Sequence, residues 1–292
     1  MSRDSATTMP ARGDQIRMAV GIFGIGTSGP LIAMSAMPIW VLIFWRNLGG
    51  SLLTAPFAIK HHRDRNGIKW AVIAGFVLAL HFGGFFLAMR YTSVASGTAI
   101  VALQPIFAAI FVKLTGQHIP SKAWLGMGVA FLGVLLISGV DLQISIRSFM
   151  GDLAALISAA IAAGYMMAGS RAQRTLETTT YTMVCYFVCA ITALPIALAS
   201  GNQIFHYSTG EWLLLLGLIA GAQILGHTMF NSALKRVSPA IVSLIVFFEV
   251  PVSSLLAVWW MGQKPPVGII PGILLILVGC ALVVIRGRDS SD

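Results

Sequence analysis

Residues 79–138 read ALHFGGFFLAMRYTSVASGTAIVALQPIFAAIFVKLTGQHIPSKAWLGMGVAFLGVLLIS, and residues 232–285 read SALKRVSPAIVSLIVFFEVPVSSLLAVWWMGQKPPVGIIPGILLILVGCALVVI. Each is a series of long apolar runs broken by a few polar residues. Shifted by 146 residues, half the chain, Pro105 falls on Pro251, Gly116-Gln117 on Gly262-Gln263 and Pro120 on Pro266. Gly126 and Gly133 fall on Gly272 and Gly279, and one residue out of register Ala88, Arg90 and Ser93 match Ala233, Lys235 and Ser238. The matches keep their order and spacing, so the chain reads as a duplicated unit.

The rest of the sequence fits that reading. Of 292 residues, 57% are hydrophobic and 10% charged, with a mean hydropathy of +0.85. A soluble domain carries about 25% charged residues, so a water-soluble globule and a disordered chain are both excluded. Apolar segments fall at 16–36, 38–58, 70–90, 92–114, 123–140, 151–170, 180–200, 212–234, 238–260 and 267–286. A helix needs about 20 apolar residues to cross the bilayer core. None of the segments alternates with period two, which excludes a barrel and leaves helices.

With the N-terminus cytoplasmic, fifteen Lys and Arg lie on the inner side and three (Arg90, Arg147, Lys264) on the outer side, Arg46 being within a span. The net charge of +9 is therefore read as the positive-inside bias and not as a nucleic-acid surface. The expected fold is an all-α membrane protein of ten transmembrane helices with both termini cytoplasmic. The expected organisation is a cytoplasmic tail (1–15), a five-helix repeat (16–146), a second repeat (147–286) and a short cytoplasmic tail (287–292). Five is odd, so the second repeat is inverted relative to the first, an architecture common among secondary transporters.

At this point the two quoted stretches, together with Phe44-Trp45-Arg46-Asn47 in helix two, resemble the drug/metabolite transporter superfamily in its EamA-type ten-helix form. The resemblance covers essentially the whole chain and, within the family, looks closest to its amino-acid exporters. It implies a multi-pass inner-membrane exporter of amino acids, aromatic and apolar ones above all, working by alternating access. A broad drug or metabolite exporter on the same fold is the alternative. The family often has Glu-Pro in helices four and nine. Here helix four has Gln104-Pro105 and helix nine has Glu249-Val250-Pro251, which puts proton coupling in doubt.

Glu249 is the one acidic residue deep in a predicted span. A charge there is costly and must face protein or water, as a proton site, an ammonium anchor or a buried structural acid. Arg46, mid-span, can grip a carboxylate in a bidentate pair or tie helices together. Gln223, His227 and Asn231 recur every four residues and share one helix face, where they line a cavity or glue helices. His81 and Phe85 are one turn apart in helix three. Gln104 is the pseudo-symmetric counterpart of Glu249. Tyr165 shares a face with Ser158 and offers a ring and a hydroxyl. Pro105 and Pro251 remove backbone donors and mark kinks. Gly126, Gly133, Gly272 and Gly279 allow close helix packing.

There is no GxxxxGK[ST] loop, HExxH or Gly-x-Ser-x-Gly, so neither an enzyme nor an ATP-driven pump is expected. No cofactor or metal is expected, and the partners are a small-molecule substrate and lipid, with the chain a monomer and an oligomer the alternative. One mid-span cation is too few for sugar phosphates, which leaves neutral, zwitterionic or apolar solutes.

Overall fold

A computed structural model describes residues 12–58, 64–114, 116, 121–230 and 247–286. Among these residues every regular element is helical. In chain order they are α1 (Arg12–Gly26), α2 (Ser28–Met34), α3 (Ile39–Ala58), α4 (Arg65–Tyr91), α5 (Val94–Val101), α6 (Gln104–Leu114), α7 (Ser121–Ile144), α8 (Ile146–Ala172), α9 (Thr178–Ala199) and α10 (Thr209–Leu218). A π-helical segment (Ile219–Thr228) continues α10, and α11 (Glu249–Met261) and α12 (Ile270–Arg286) follow. Among the described residues, seven stretches are long and apolar enough to cross a membrane. The large apolar residues Phe131, Leu132, Leu135 and Leu136 of α7 are all exposed, as a lipid-facing surface requires.

Helix starts follow local chemistry. The Asp64 carboxylate accepts from Gly67 N at 2.7 Å, and the Ser93 and Ser145 hydroxyls accept from Ser96 N and Ser148 N at 3.0 Å. Gly262 closes α11 at φ 62°, a conformation a side chain disfavours.

The element pairings have a pattern. α4 lies along α8, and α1 lies along the π segment; α3 packs on α9, α7 on α12, and α5 on α11. Exchanging the first five apolar segments for the last five maps this set of neighbours onto itself. The α7–α12 seam is a close one. A Cβ added at Gly133 would sit 2.5 Å from Gly272 O, and one at Gly279 would sit 2.5 Å from both Gly126 O and Ala130 N. The four small residues thus meet on one seam and let two backbones touch.

Two segments read as single helices are broken. Helix one divides at Thr27, whose hydroxyl bonds back to Gly24 O at 2.7 Å. Helix four divides at Ala102-Leu103, immediately before Gln104-Pro105. Pro105 has no N–H for the Val101 carbonyl, and Ile106 N turns to Leu103 O at 2.8 Å instead. The Cys280 thiol donates to the neighbouring Ala102 carbonyl at 3.4 Å. In the second half, Phe247 and Phe248 form a turn and Glu249 starts α11, with Pro251 in its first turn. Gln104 and Glu249 are therefore each the first residue of a helix, α6 and α11.

Candidate functional site

Among the described residues, Arg46 is the largest side chain with no exposed surface. It enters the middle of the bundle from α3, whose buried face also carries Asn47, Ser51 and Thr54. Its Nε donates to Gln223 Oε1 at 2.7 Å. Gln223 Nε2 in turn donates to Asn47 Oδ1 at 3.1 Å, and Asn47 Nδ2 donates to Ile43 O at 2.8 Å. The chain of donors and acceptors fixes both ends of Gln223, and Gly50 makes room for it, since a Cβ there would lie 2.8 Å from Gln223 Cγ. The Arg46 guanidinium carbon rests 4.2 Å from the centre of the Phe82 ring and 5.6 Å from that of Phe86. Both rings stabilise the cation through their negative faces. The terminal amino groups, Nη1 and Nη2, are buried and have no hydrogen-bond partner among the described residues.

His81 lies next to this group. Its Nδ1 is 2.8 Å from Ser158 Oγ and 3.0 Å from Ser158 O, while Ser158 Oγ donates to His81 O at 2.9 Å. A carbonyl can only accept, and the serine proton is already committed to His81 O. Nδ1 therefore carries the proton and Nε2 is an acceptor in the neutral ring. Phe85 stacks on the imidazole, with centroids 5.9 Å apart and planes at 13°. His227, one π turn from Gln223, meets the edge of Phe82 at 6.1 Å. Glu249, Tyr165 and Tyr186 of α9 lie within electrostatic reach of Arg46. Arg46, His81, Phe85, Tyr165, Gln223, His227 and Glu249 thus come together from α3, α4, α8, the π segment and α11.

Gln104 is placed differently, at the start of α6 with its amide against Met166 Sδ of α8. Asn231 lies outside the described residues. Phe82 and Phe86 stand outside the expected set of site residues, although HFGGFF carries them as a second i, i+4 aromatic pair, one residue on from His81 and Phe85. Tyr186 carries no such signal, because nothing in the α9 sequence says which face meets Arg46. Nor is Glu249 the only enclosed acid. Asp141 and Asp152 are each 2% exposed where α7 meets α8, and Thr92 Oγ1 donates to Asp141 Oδ2 at 3.1 Å. No cluster of three or more metal-ligating side chains occurs among the described residues.

Fold and site define a class first: an all-helical, multi-pass membrane protein with a polar, aromatic-lined centre. Comparison with known proteins then gives the family. The profile of the EamA-like transporter family matches residues 16–139 and again 149–285, so the chain belongs to that family, part of the drug/metabolite transporter superfamily. The pseudopaline exporter CntI of Pseudomonas aeruginosa is 26% identical over 85% of this chain and 87% of its own. The uncharacterized transporter YyaM of Bacillus subtilis is 27% identical over 75% of this chain and 74% of its own. One crystal structure superposes with a TM-score of 0.66 at 18% identity, over 94% of this chain and 98% of that one, a likeness of fold. The protein is a multi-pass inner-membrane transporter of a small molecule.

Proposed function

We propose that this transporter exports amino acids, aromatic and other apolar ones, by alternating access of a central cavity. The observation that carries the reading is the Arg46–Phe82–Gln223 group, with Glu249 in electrostatic range. It offers a cation and aromatic surface at one point of an apolar bundle, with an acidic residue nearby, which suits a zwitterion with an apolar side chain. The architecture proposed is ten helices in two inverted five-helix repeats, both termini cytoplasmic. The exchange of neighbours between the halves and the double family match support it. The break that sets Gln104 at a helix start resembles the discontinuous helices of other transporters.

The test is counterflow in liposomes of labelled phenylalanine, methionine, threonine and a cationic drug, with and without a pH gradient. Amino-acid exchange that needs no gradient is the expected result; drug flux alone would sink the reading. A second reading, a broad drug or metabolite exporter with proton coupling, draws on Glu249, an acid in a span whose counterpart is Gln104. In that case drug flux follows the pH gradient and is lost in Glu249→Gln.

A further inference from the structure

The Arg46 guanidinium is bonded on one edge only. Gln223 takes Nε, Phe82 and Phe86 lie against the planar group, and the edge bearing Nη1 and Nη2 is without a protein partner among the described residues. A buried cation left in this way is unfavourable unless an anion completes it. The free edge is the one that pairs end-on with a carboxylate through two parallel N–H···O bonds. Gln223, itself gripped by Asn47, prevents the side chain from rotating that edge away. Among the described residues no buried acid competes as an anion partner by contact: Glu249 acts on Arg46 through space, and its carboxylate accepts no hydrogen bond from Nη1 or Nη2.

We infer that the two Nη groups of Arg46 are the docking point for the carboxylate of the transported solute. The aromatic pair Phe82 and Phe86 backs the cation, and Glu249 serves as the counter-charge for the solute's ammonium group. The assignment rests on the export reading above and deepens it, because it makes a free carboxylate a condition of transport. It also gives the enclosed arginine a place in the cycle. With no exposed surface in this conformation, Arg46 receives its anion only when the helices around it part.

The test leaves the protein unaltered and changes the solute. Purified wild-type protein in liposomes is given labelled phenylalanine, phenylalaninamide, 3-phenylpropionate and 2-phenylethylamine, which share a ring and differ in their charged ends. Two charge-assisted hydrogen bonds at a desolvated site correspond to a preference of at least about ten-fold for phenylalanine over its amide. Equal flux of phenylalanine and phenylalaninamide overturns the carboxylate site and leaves amino-acid transport standing. Flux of 3-phenylpropionate well above 2-phenylethylamine, with none of phenylalanine, upholds the site and removes the amino-acid reading. Flux of 2-phenylethylamine alone, or of none of the four, overturns both. In Arg46→Lys, which keeps the charge and loses the planar fork, the ratio of phenylalanine to phenylalaninamide flux falls about ten-fold. A purely structural arginine would lower both fluxes together.

Discussion

Gln223→Leu tests the centre of the protein most directly. Leucine has nearly the same volume as glutamine, so the change removes hydrogen bonds without opening a cavity. Arg46 Nε loses its acceptor at 2.7 Å, and Asn47 Oδ1 loses its donor at 3.1 Å, both fully buried. A hydrogen bond to a charged group contributes about 1.5–3 kcal/mol, and an orphaned neutral acceptor costs about 1–3 kcal/mol. Together the loss is roughly 2.5–6 kcal/mol. At about 2–4 °C per kcal/mol for a chain of this order of size, the unfolding midpoint falls by roughly 5–24 °C. The assay is thermal unfolding of the purified protein in detergent, followed with a thiol-reactive dye. Cys185, Cys189 and Cys280 are all free and buried, so the dye reacts as the bundle opens. Gly50→Ala approaches the same contact from the other side, its Cβ 2.8 Å from Gln223 Cγ. It lowers the midpoint in the wild type by pushing Gln223 off its bonds to Arg46 and Asn47, and does so less in the Gln223→Leu background, where a Cγ still meets the new Cβ but those bonds are already gone. A Gln223→Leu midpoint within about 1 °C of wild type would refute the reasoning, since Arg46 would then not depend on Gln223.

Three further outcomes are expected. Gly279→Leu separates α7 from α12, because even a Cβ meets Gly126 O and Ala130 N at 2.5 Å; the dye assay reads a loss of about 1–3 kcal/mol or more, and an unchanged midpoint contradicts the close seam. Ser158→Ala frees His81 Nδ1 and its backbone oxygen from the hydroxyl while keeping the Ser158 carbonyl bond at 3.0 Å. The cost is about 1 kcal/mol in midpoint, with solute preference altered through the imidazole that Phe85 stacks on; identical stability and identical transport would count against the clamp. Glu211→Gln weakens the join between α2 and α3. Its carboxylate accepts from Ser35 Oγ at 2.6 Å and Ala36 N at 2.9 Å, so loss of charge there speeds hydrogen exchange at residues 35–37, and unchanged exchange would show the join does not depend on it.

Much of the architecture is legible along the chain because lipid leaves the backbone few choices. With no water to satisfy N–H and C=O groups, an apolar run of about 20 residues becomes a helix, and the 146-residue correspondence in Pro and Gly marks a duplicated unit. The glycines at 126, 133, 272 and 279 can be grouped by spacing alone, since positions seven apart share a helix face. Arg46, His81, Gln223, His227 and Glu249 stand out because a polar side chain is costly in an apolar span and must face protein or water. What the sequence does not supply is who meets whom. Periodicity gives the face of a helix but not the neighbour it turns to, so the Arg46–Gln223 bond, across 177 residues, exists only in the assembled bundle. The same holds for the Ser158 clamp that sets which nitrogen of His81 carries its proton, and for Gln104, whose pseudo-symmetry suggests the centre and whose amide lies against Met166. Local composition is decided by the solvent around a helix, whereas long-range pairing is decided by how all the helices fill space together, and only the folded chain contains that information.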